Sequence, residues 1–442
     1  MAMVVKNNMS AKNTLNQLDK NDKALAKSLK KVASGMKINS AADDASGFAI
    51  SEKMRVQING LEQDIDNTQT GSSMMKVAEG GVQSTVDILR TLKEKVINAA
   101  NDTNTDEDRA IIQKELDQAV DQLDENANVS YNGKIMLDGS HNNEVLEPGT
   151  KTVLANEGLD PNFNKLTPIT ELEDATGRSL GIFADSKIEF SYVYQGKTYV
   201  TTLDPVGDNI VGDMFSESKD ASGKNPDKKI LALSVTAKVG SGRMKEDVYT
   251  TSGNKALVFT AGQAGIKHQI SGLTINVMNH DGSANRTANA VLNNFDEAIR
   301  AENPSDDNAL VFQVGTKANQ TVKIGFSDIR ATALGLRAFD GTTLNIGTQK
   351  NANAAINVLD LAMQKVLNQQ TTIGSLESRM EYTAANLTTA SENTQSSESV
   401  IRDANMAKEM TEYTKNNVIT QAAQSMLAQA NQNSSQVLSL LQ

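Results

Sequence analysis

The chain has 442 residues, a formal net charge of −11, no Cys, no Trp and only 4% aromatic residues. Its length predicts two or three domains, and the absence of Cys excludes disulfides, thiolate metal sites and cysteine nucleophiles. The negative charge argues against a nucleic-acid partner, because a surface that binds phosphates has to be basic.

The N-terminal 40 residues are basic, with eight Lys against two Asp. They contain neither the uninterrupted apolar stretch nor the small-residue cleavage site of a secretory signal. We therefore expect that export, if it occurs, involves no cleaved signal peptide. No run of about 18 apolar residues occurs in the sequence, so no membrane span is predicted.

A heptad pattern predicts the first helix. Its apolar residues fall at alternating a and d positions, with Asp22 as a polar exception; they are Leu15, Leu18, Leu25, Leu29 and Val32. Such a narrow stripe suits one or two partner helices. An amphipathic helix lying on its own domain fits the same spacing, but a similar pattern at the C-terminus favours self-assembly.

Two more helices are predicted before residue 140. Gly35 interrupts the first helix, and Asp43-Asp44 precede a helical pattern over residues 45–100. The turn-rich residues 101–106 end that pattern and begin a third helix. Asn132-Gly133 then predicts a tight turn.

Residues 141–307 change to period two, which is typical of strands. The alternation is clear on both sides of Gln195-Gly196 and again over residues 231–239. One helix is predicted near Ala288–Ala301. We expect a variable, β-rich inserted domain.

Helical patterns resume after a predicted strand pair at residues 310–326, whose apolar residues are Phe312, Val314, Val322 and Ile324. Heptads over residues 356–380 predict a long helix, and a C-terminal helix follows. Its apolar candidates for self-assembly are Met410, Tyr413, Ile419, Met426, Leu427, Val437, Leu438, Leu440 and Leu441.

These patterns predict a mainly α rod of long antiparallel coiled-coil helices from both termini, with an inserted β-rich domain. This is an α+β, multidomain class. In chain order, the predicted parts are an N-terminal helix (1–44), a rod segment (45–140), the insert (141–307), a hairpin with a second rod segment (308–399) and a C-terminal helix (400–442).

No constellation of catalytic residues is found. The three His are far apart and none belongs to an H-E-x-x-H pair, and no P-loop or nucleophile elbow is present. Acidic pairs such as Asp43-Asp44 are better explained as helix starts than as cation sites. The sequence predicts no enzyme, no cofactor and no metal.

Two stretches carry a family resemblance. Residues 34–47 (SGMKINSAADDASG) and 399–410 (SVIRDANMAKEM) closely resemble the terminal signatures of bacterial flagellin. The similarity covers about residues 1–140 and 308–442. The resemblance implies a secreted subunit that polymerises into the flagellar filament for swimming motility.

The resemblance also implies an arrangement and partners. The terminal helices would line an inner tube and the next helices an outer tube, with the inserted domain facing solvent. An export chaperone would hold the C-terminal helix, and hook-associated and cap proteins would contact the polymer. The strand pair at 310–326 would be the hairpin associated with switching between filament forms.

A host partner is implied as well. Flagellins that strongly activate an animal Toll-like receptor present an Arg and a Leu one helical turn apart. By resemblance those positions are Thr91 and Lys95 here, in a region that includes Leu89 and Arg90, and the associated acidic position is kept as Glu115. We expect weakened receptor recognition.

Three alternatives remain at this point. A hook–filament junction protein shares the terminal helices with flagellin. The inserted domain could instead make the chain an adhesin for host surfaces. An exported enzyme on a filament scaffold is disfavoured, because no catalytic residues are found.

Overall fold

The computed structural model describes residues 8–207, 209–213, 219–220 and 230–440, without the side chains of residues 219–220, 434 and 437–440. The chain forms two compact units. Unit 1 comprises residues 1–69, 313–320 and 382–442, and unit 2 comprises residues 70–312 and 321–381.

Seven α-helices lie in the described ranges, and the long ones coincide with the predicted heptads. Their bounds are α1 (Met9–Ser34), α2 (Ala45–Ala99), α3 (Asp106–Ala127), α4 (Arg286–Leu292), α5 (Ala331–Leu334), α6 (Gln349–Arg402) and α7 (Met406–Leu440). None of these helices is long and apolar enough to cross a membrane.

Fourteen strands are described, most of them in the predicted β-rich region. Their bounds are β1 (Ser130–Tyr131), β2 (Lys134–Ile135), β3 (Val153–Asn156), β4 (Lys187–Tyr194), β5 (Lys197–Leu203), β6 (Lys219–Asp220), β7 (Leu231–Thr236), β8 (Lys238–Ser241), β9 (Asp247–Tyr249), β10 (Ala256–Ala261), β11 (Ile270–Met278), β12 (Asp296–Ile299), β13 (Leu310–Gln313) and β14 (Thr321–Ile324). The predicted α+β, multidomain class is confirmed.

Local chemistry sets the helix ends where the sequence predicts them. α1 ends at Gly35, whose φ of 71° is left-handed. The Asp44 carboxylate accepts from the Gly47 N–H (3.0 Å) in the first turn of α2. α3 begins with a capping box between Thr105 and Asp108.

In unit 2, α2 and α6 run antiparallel. Gln370 donates to Gln83 (2.8 Å), whereas Lys93 pairs with Asp360, so later positions in α2 meet earlier ones in α6. Four predicted heptad residues of α6 are at most 1% exposed: Leu359, Val366, Ile373 and Met380. The heptads therefore mark the buried face of this helix.

The β-rich part of unit 2 is a sandwich of two antiparallel sheets. Their strand orders are β12-β3-β10-β7 and β11-β4-β5-β6. The rings of Phe190 in β4 and Phe259 in β10 lie 5.8 Å apart in the core between them. Gln195 and Gly196 have positive φ and form the predicted turn between β4 and β5.

A segment between β14 and α6 is held against α3 by acidic side chains. The Ala331 N–H donates to Asp124 Oδ1 (2.8 Å), and Arg337 pairs with Asp124 (2.7 Å) and with Asp121. The acidic face of α3 therefore has an internal partner, which no sequence pattern indicated.

Two predictions in the inserted domain are corrected. The alternating run 231–239 is divided at Ala237 into β7 and β8, which belong to different sheets. The helix predicted near Ala288–Ala301 is wrong in its second half, because α4 ends at Leu292 and residues 296–299 form β12. Asn293 ends the helix by turning its side chain to the backbone of Ile275.

Asparagine side chains from the end of α4 close the outer edge of β11. Asn289 accepts from the Val277 N–H (2.6 Å) and donates to its carbonyl (3.2 Å). Asn293 makes the same pair with Ile275, both at 2.7 Å. A side-chain amide carries the same donor and acceptor as a peptide group, so these two residues replace a neighbouring strand.

Replacement of Asn293 by Asp tests this closure. The carboxylate still accepts from Ile275 N–H, but it cannot donate to the Ile275 carbonyl and places a negative charge against it. We expect the free energy of unfolding of the sandwich to fall by about 1–3 kcal/mol in calorimetry of the monomer. Asn294→Asp adds the same charge at an exposed neighbour and should change it by less than about 0.5 kcal/mol. An equal loss in both variants would contradict the closure.

Candidate assembly surface

Helices α1 and α7 pair in antiparallel orientation within unit 1. Asn8 Nδ2 donates to the Ala430 carbonyl (3.2 Å), and Lys31 Nζ lies 3.2 Å from Glu409 Oε1. Positions late in α1 therefore meet positions early in α7. This is the antiparallel pairing of the two termini that the heptads predict.

The contact face between these helices, called the seam below, mixes apolar residues with small and polar ones. Its α1 positions recur every three or four residues: Ala11, Thr14, Leu18, Asn21, Leu25, Ser28 and Val32. Its most buried residues are Ser28, Thr420 and Ala423, each at most 9% exposed. Asn416 Nδ2 donates to Ser28 Oγ (3.0 Å). The larger apolar residues of the seam are only half-buried, so the pair buries part of its apolar area.

The predicted apolar stripe of α1 is divided between two faces. Leu15 and Leu29 are 53% and 50% exposed, whereas the other three residues are half-buried in the seam: Leu18, Leu25 and Val32. A seam through Leu15 and Leu29 would also include Asp22. Burying that carboxylate costs more than burying the neutral Asn21, so the observed register is favoured.

Other apolar residues of α7 are exposed on the two sides of the seam. Of the residues predicted for self-assembly, Met410, Ile419 and Met426 are 46%, 38% and 62% exposed. Tyr413 and Leu427 are half-buried at positions that match the seam spacing. The prediction that these residues form one apolar face of α7 is therefore wrong. Some of them lie in the seam, and the others are exposed outside it.

Two outward residues of α7 were missed, Met406 at 43% and Val418 at 59% exposed. Their only sequence signal is apolar character outside the heptad. For the last predicted residues the structure gives no side-chain placement: Val437, Leu438 and Leu440 lie in α7 with side chains outside the described residues, and Leu441 lies outside the described residues.

The two signature stretches meet where α1 leads to α2 and α6 leads to α7. The Lys37 N–H donates to the Arg402 carbonyl (2.7 Å), and the Ala404 N–H donates to the Gly35 carbonyl (2.9 Å). A Cβ on Gly47 would lie 2.7 Å from the Ile38 side chain, closer than atoms pack. Gly35, Gly47 and the run Arg402-Asp403-Ala404 therefore belong to one antiparallel contact between the two stretches. This contact is called the corner below.

Arg402 is the central side chain of the corner. Its guanidinium lies 5.5 Å from the Phe48 ring centroid and donates to Glu52 Oε1 (2.5 Å), while the side chain is 8% exposed. The hydrogen bond from Arg402 lowers the pKa of the Glu52 carboxyl. Stacking on a ring while pairing with a carboxylate suits Arg better than Lys.

The predicted hairpin forms from β13 and β14. In unit 2, Val322 and Ile324 are buried and Phe312 is half-buried. Val314 belongs to the tip, residues 313–320, which lies in unit 1. The Val314 side chain is half-buried.

The hairpin tip packs on one face of α2. Asn67 Nδ2 donates to the Gln313 carbonyl (3.2 Å), and a Cβ on Gly60 would lie 2.9 Å from Thr316 Cγ2. Asp64 shares this face at i+4 from Gly60. It is 4% exposed, and its Oδ2 has no hydrogen-bond partner among the described residues. Burial raises the pKa of the Asp64 carboxyl.

The residues expected to contact a receptor lie in unit 2 on α2 and α3. Arg90 and Thr91 are exposed, and Lys95 pairs with Glu115 (2.9 Å). Leu89 is fully buried and supports the packing of α2, so it is corrected from a contact residue to a core residue.

Charged side chains also line a cavity of about 400 Å³ in unit 2. Arg243 pairs with Glu302, and the buried Lys365 lies 3.2 Å from Glu297. Burial lowers the pKa of the Lys365 ammonium. The pair of Lys365 with Glu297 ties β12 to α6. Across the described ranges, no group of three or more His, Cys, Asp or Glu could hold a metal ion.

Comparisons with known proteins agree with the two signatures. Models of the bacterial flagellin N-terminal and C-terminal helical regions match residues 5–142 and 356–441. The chain is 32% identical to a flagellin of Clostridium tyrobutyricum, over 97% of this chain and 99% of the relative. It is 29% identical to a flagellin of Bacillus subtilis strain 168, over 99% and 100%.

Among solved structures, the chain is similar to flagellar hook associated protein-3 from Legionella pneumophila. The identity is 15% and the TM-score 0.34, with 78% of this chain and 97% of that chain covered. A likeness this distant carries no argument about function.

Replacement of Asp64 by Asn tests the buried carboxyl under the hairpin tip. Because burial raises the folded-state pKa of Asp64 above the ordinary Asp value of 3.8, its burial is least costly in acid and becomes unfavourable as pH rises through that pKa. We expect Asp64→Asn to raise the free energy of unfolding by about 1 kcal/mol at neutral pH. The gain should disappear toward pH 4.

The matched control is Asp66→Asn, which removes the same charge from an exposed position on α2. Calorimetry of the monomer from pH 7.5 down to pH 4 measures both variants. A stabilisation by Asp64→Asn that does not change with pH would refute the assignment.

Proposed function

Because the chain belongs to the bacterial flagellin family, we propose that it polymerises through the outward apolar faces of α1 and α7. As a flagellin it is a structural subunit of the extracellular flagellar filament, and it serves swimming motility. Members of this family are structural filament proteins, not enzymes.

The single observation that carries this proposal is the exposure of large apolar residues on two helices whose mutual contact leaves them uncovered. Leu15 and Leu29 on α1, and Met410, Ile419 and Met426 on α7, lie outside the seam. Burying one such side chain fully contributes roughly 1.5–3 kcal/mol. Neighbouring copies of the chain are the partners that would cover them.

The hairpin is the proposed element of switching between filament forms. Its tip rests on α2 through Asn67 and Gly60, while its strands carry Phe312, Val322 and Ile324. On the same face of α2, one buried carboxylate oxygen of Asp64 has no hydrogen-bond partner among the described residues, which lowers the stability of this region. A contact of low stability is suited to adopting two positions.

Further partners follow from the same surfaces. An export chaperone would cover the exposed apolar residues of α7, such as Met410 and Met426, before assembly. Hook-associated and cap proteins would pair with the terminal helices at the two ends of the filament. Export without a cleaved signal peptide is part of this proposal, because the basic N-terminal 40 residues contain no uninterrupted apolar stretch.

The proposed host partner is the Toll-like receptor for flagellin, with weakened signalling. Thr91 stands where strong activators have an Arg, and Lys95 stands in place of a Leu. Lys95 also pairs with Glu115 (2.9 Å), which occupies the acidic group that a receptor would contact. Losing an Arg anchor costs an interface on the order of 2 kcal/mol.

The double substitution Leu15→Gln/Leu29→Gln tests the assembly surface. Gln is a good helix former, so circular dichroism should show unchanged helix content. We expect the critical concentration for seeded polymerisation to rise at least about tenfold, as measured by sedimentation and electron microscopy. The control Leu166→Gln changes a still more exposed Leu of the inserted domain, 74% exposed, and should assemble normally. Normal filaments from the double variant would refute the proposed surface.

The double substitution Thr91→Arg/Lys95→Leu tests the receptor proposal. It supplies the missing side chains and frees Glu115. We expect reporter cells to respond at a concentration roughly tenfold to thirtyfold lower. Thr388→Arg places the same Arg on an exposed part of α6 and should leave potency unchanged. If the parent chain already equals a strong activator, weakened recognition is wrong.

A further inference from the structure

The cavity of about 400 Å³ in unit 2 is larger than a structural water needs. Helix α6 contributes Lys365 and Gln369 to its wall, and β12 with the residue that follows contributes Glu297 and Arg300. Liquid water occupies about 30 Å³ per molecule, so many waters would be required to fill this space. Its volume lies in the range of sites for small molecules.

The charges of the wall are compensated except at Arg300. Two ion pairs neutralise four other charged side chains. The Arg300 guanidinium donates to the Asp328 carbonyl, and no carboxylate of the described residues lies within ion-pair distance of it. A carbonyl oxygen carries no formal charge, so the positive charge of Arg300 has no counterion within the described part of the chain.

The buried ammonium beside Arg300 is affected by this excess of positive charge. Lys365 is 5% exposed. Burial lowers the pKa of the Lys365 ammonium, and the positive charge of Arg300 adds to that effect even though Glu297 opposes it. A negative charge brought into the cavity would therefore be attracted by two cationic groups.

The wall also holds a donor without a partner. Gln369 is 6% exposed, and its Oε1 accepts from the Ser327 N–H (3.2 Å). That bond fixes the orientation of the amide, because only the oxygen end can accept. The other end, Nε2, is buried and has no hydrogen-bond partner among the described residues. Its partner has to come from outside the described chain.

The remaining acidic residue of the lining stands at the entrance. The exposed lining residues, which mark where the cavity opens, include Glu246, Asn368 and Thr372. Glu246 Oε2 accepts from the Met244 N–H (2.7 Å), which holds the carboxylate in this loop. The uncompensated positive charge therefore lies inside the cavity, and the negative charge lies at its edge.

We propose that this cavity binds a small anion through its carboxylate or phosphate oxygens, with Arg300 as the charge partner and the Gln369 amide as a further donor. The planar guanidinium binds both groups through two parallel hydrogen bonds. The bound anion would connect the inserted sandwich to α6. Every lining residue belongs to unit 2, so the inference does not depend on the assembly surface of unit 1.

The experiment titrates full-length monomer with sodium phosphate and, separately, with sodium succinate. Calorimetry should show saturable binding of at least one of them, and the anion that saturates distinguishes phosphate from carboxylate. At saturation we expect the unfolding midpoint of unit 2 to rise by at least about 2 °C, because the anion binds only the folded state. No saturation with either anion, or an equal rise with sodium chloride at the same ionic strength, would overturn the inference.

Charge variants with opposite expected effects locate the site. Arg300→Gln keeps a donor for Asp328 and should weaken binding at least about tenfold. Glu246→Gln keeps an acceptor for Met244 and should tighten binding about twofold to fivefold, because it removes a like charge at the entrance. The control Arg286→Gln removes an exposed Arg of the inserted domain and should not change affinity. Parent affinity in Arg300→Gln would refute the site.

A further variant decides the question if Arg300→Gln does not fold. Gln369→Glu retains the oxygen that accepts from Ser327 but replaces the donor with a negative oxygen, so binding should fall at least about tenfold. Gln364→Glu places the same charge on an exposed position of α6 and should bind like the parent. Circular dichroism checks that each variant is folded. Unchanged affinity in folded Gln369→Glu contradicts the inference.

Discussion

The antiparallel contact at the corner is the constraint on which the rest of unit 1 depends. It joins segments separated by more than 350 residues, and a long helix lies on each side of both segments. Once Lys37 bonds to Arg402 and Ala404 bonds to Gly35, α1 has to run beside α7. Arg402 makes the contact specific, because its guanidinium stacks on Phe48 while it pairs with Glu52.

The pairing of α1 with α7 leaves part of the apolar surface of the two helices uncovered. Leu18 and Leu25 are half-buried in the seam, whereas Leu15 and Met426 are exposed. Hydrogen bonds between polar residues of the seam help to specify the register, and they contribute about 0.5–1.5 kcal/mol each. The hydrophobic free energy of the uncovered residues remains available for contacts between subunits.

Most helices and the β-rich insert could be predicted, because heptads, alternation and caps are local signals. The seam could not, since Leu18 and Leu25 fit two overlapping heptad registers and only the cost of burying Asp22 separates them. Asn293 fits a helix until β11 offers its backbone, and Asp64 resembles a surface carboxylate until the fold buries its face of α2. Each of these depends on a partner distant in sequence, so no local pattern carries it.

The closed edge of β11 matters for a protein that exists as a crowded array. In a filament the inserted domains of many copies repeat at high local concentration, the condition in which open strand edges join sheets of different chains into aggregates. Asn289 and Asn293 occupy the backbone groups of this edge. Strand addition is therefore blocked at β11, and the sandwich can vary in sequence without converting an ordered helical polymer into an amyloid-like one.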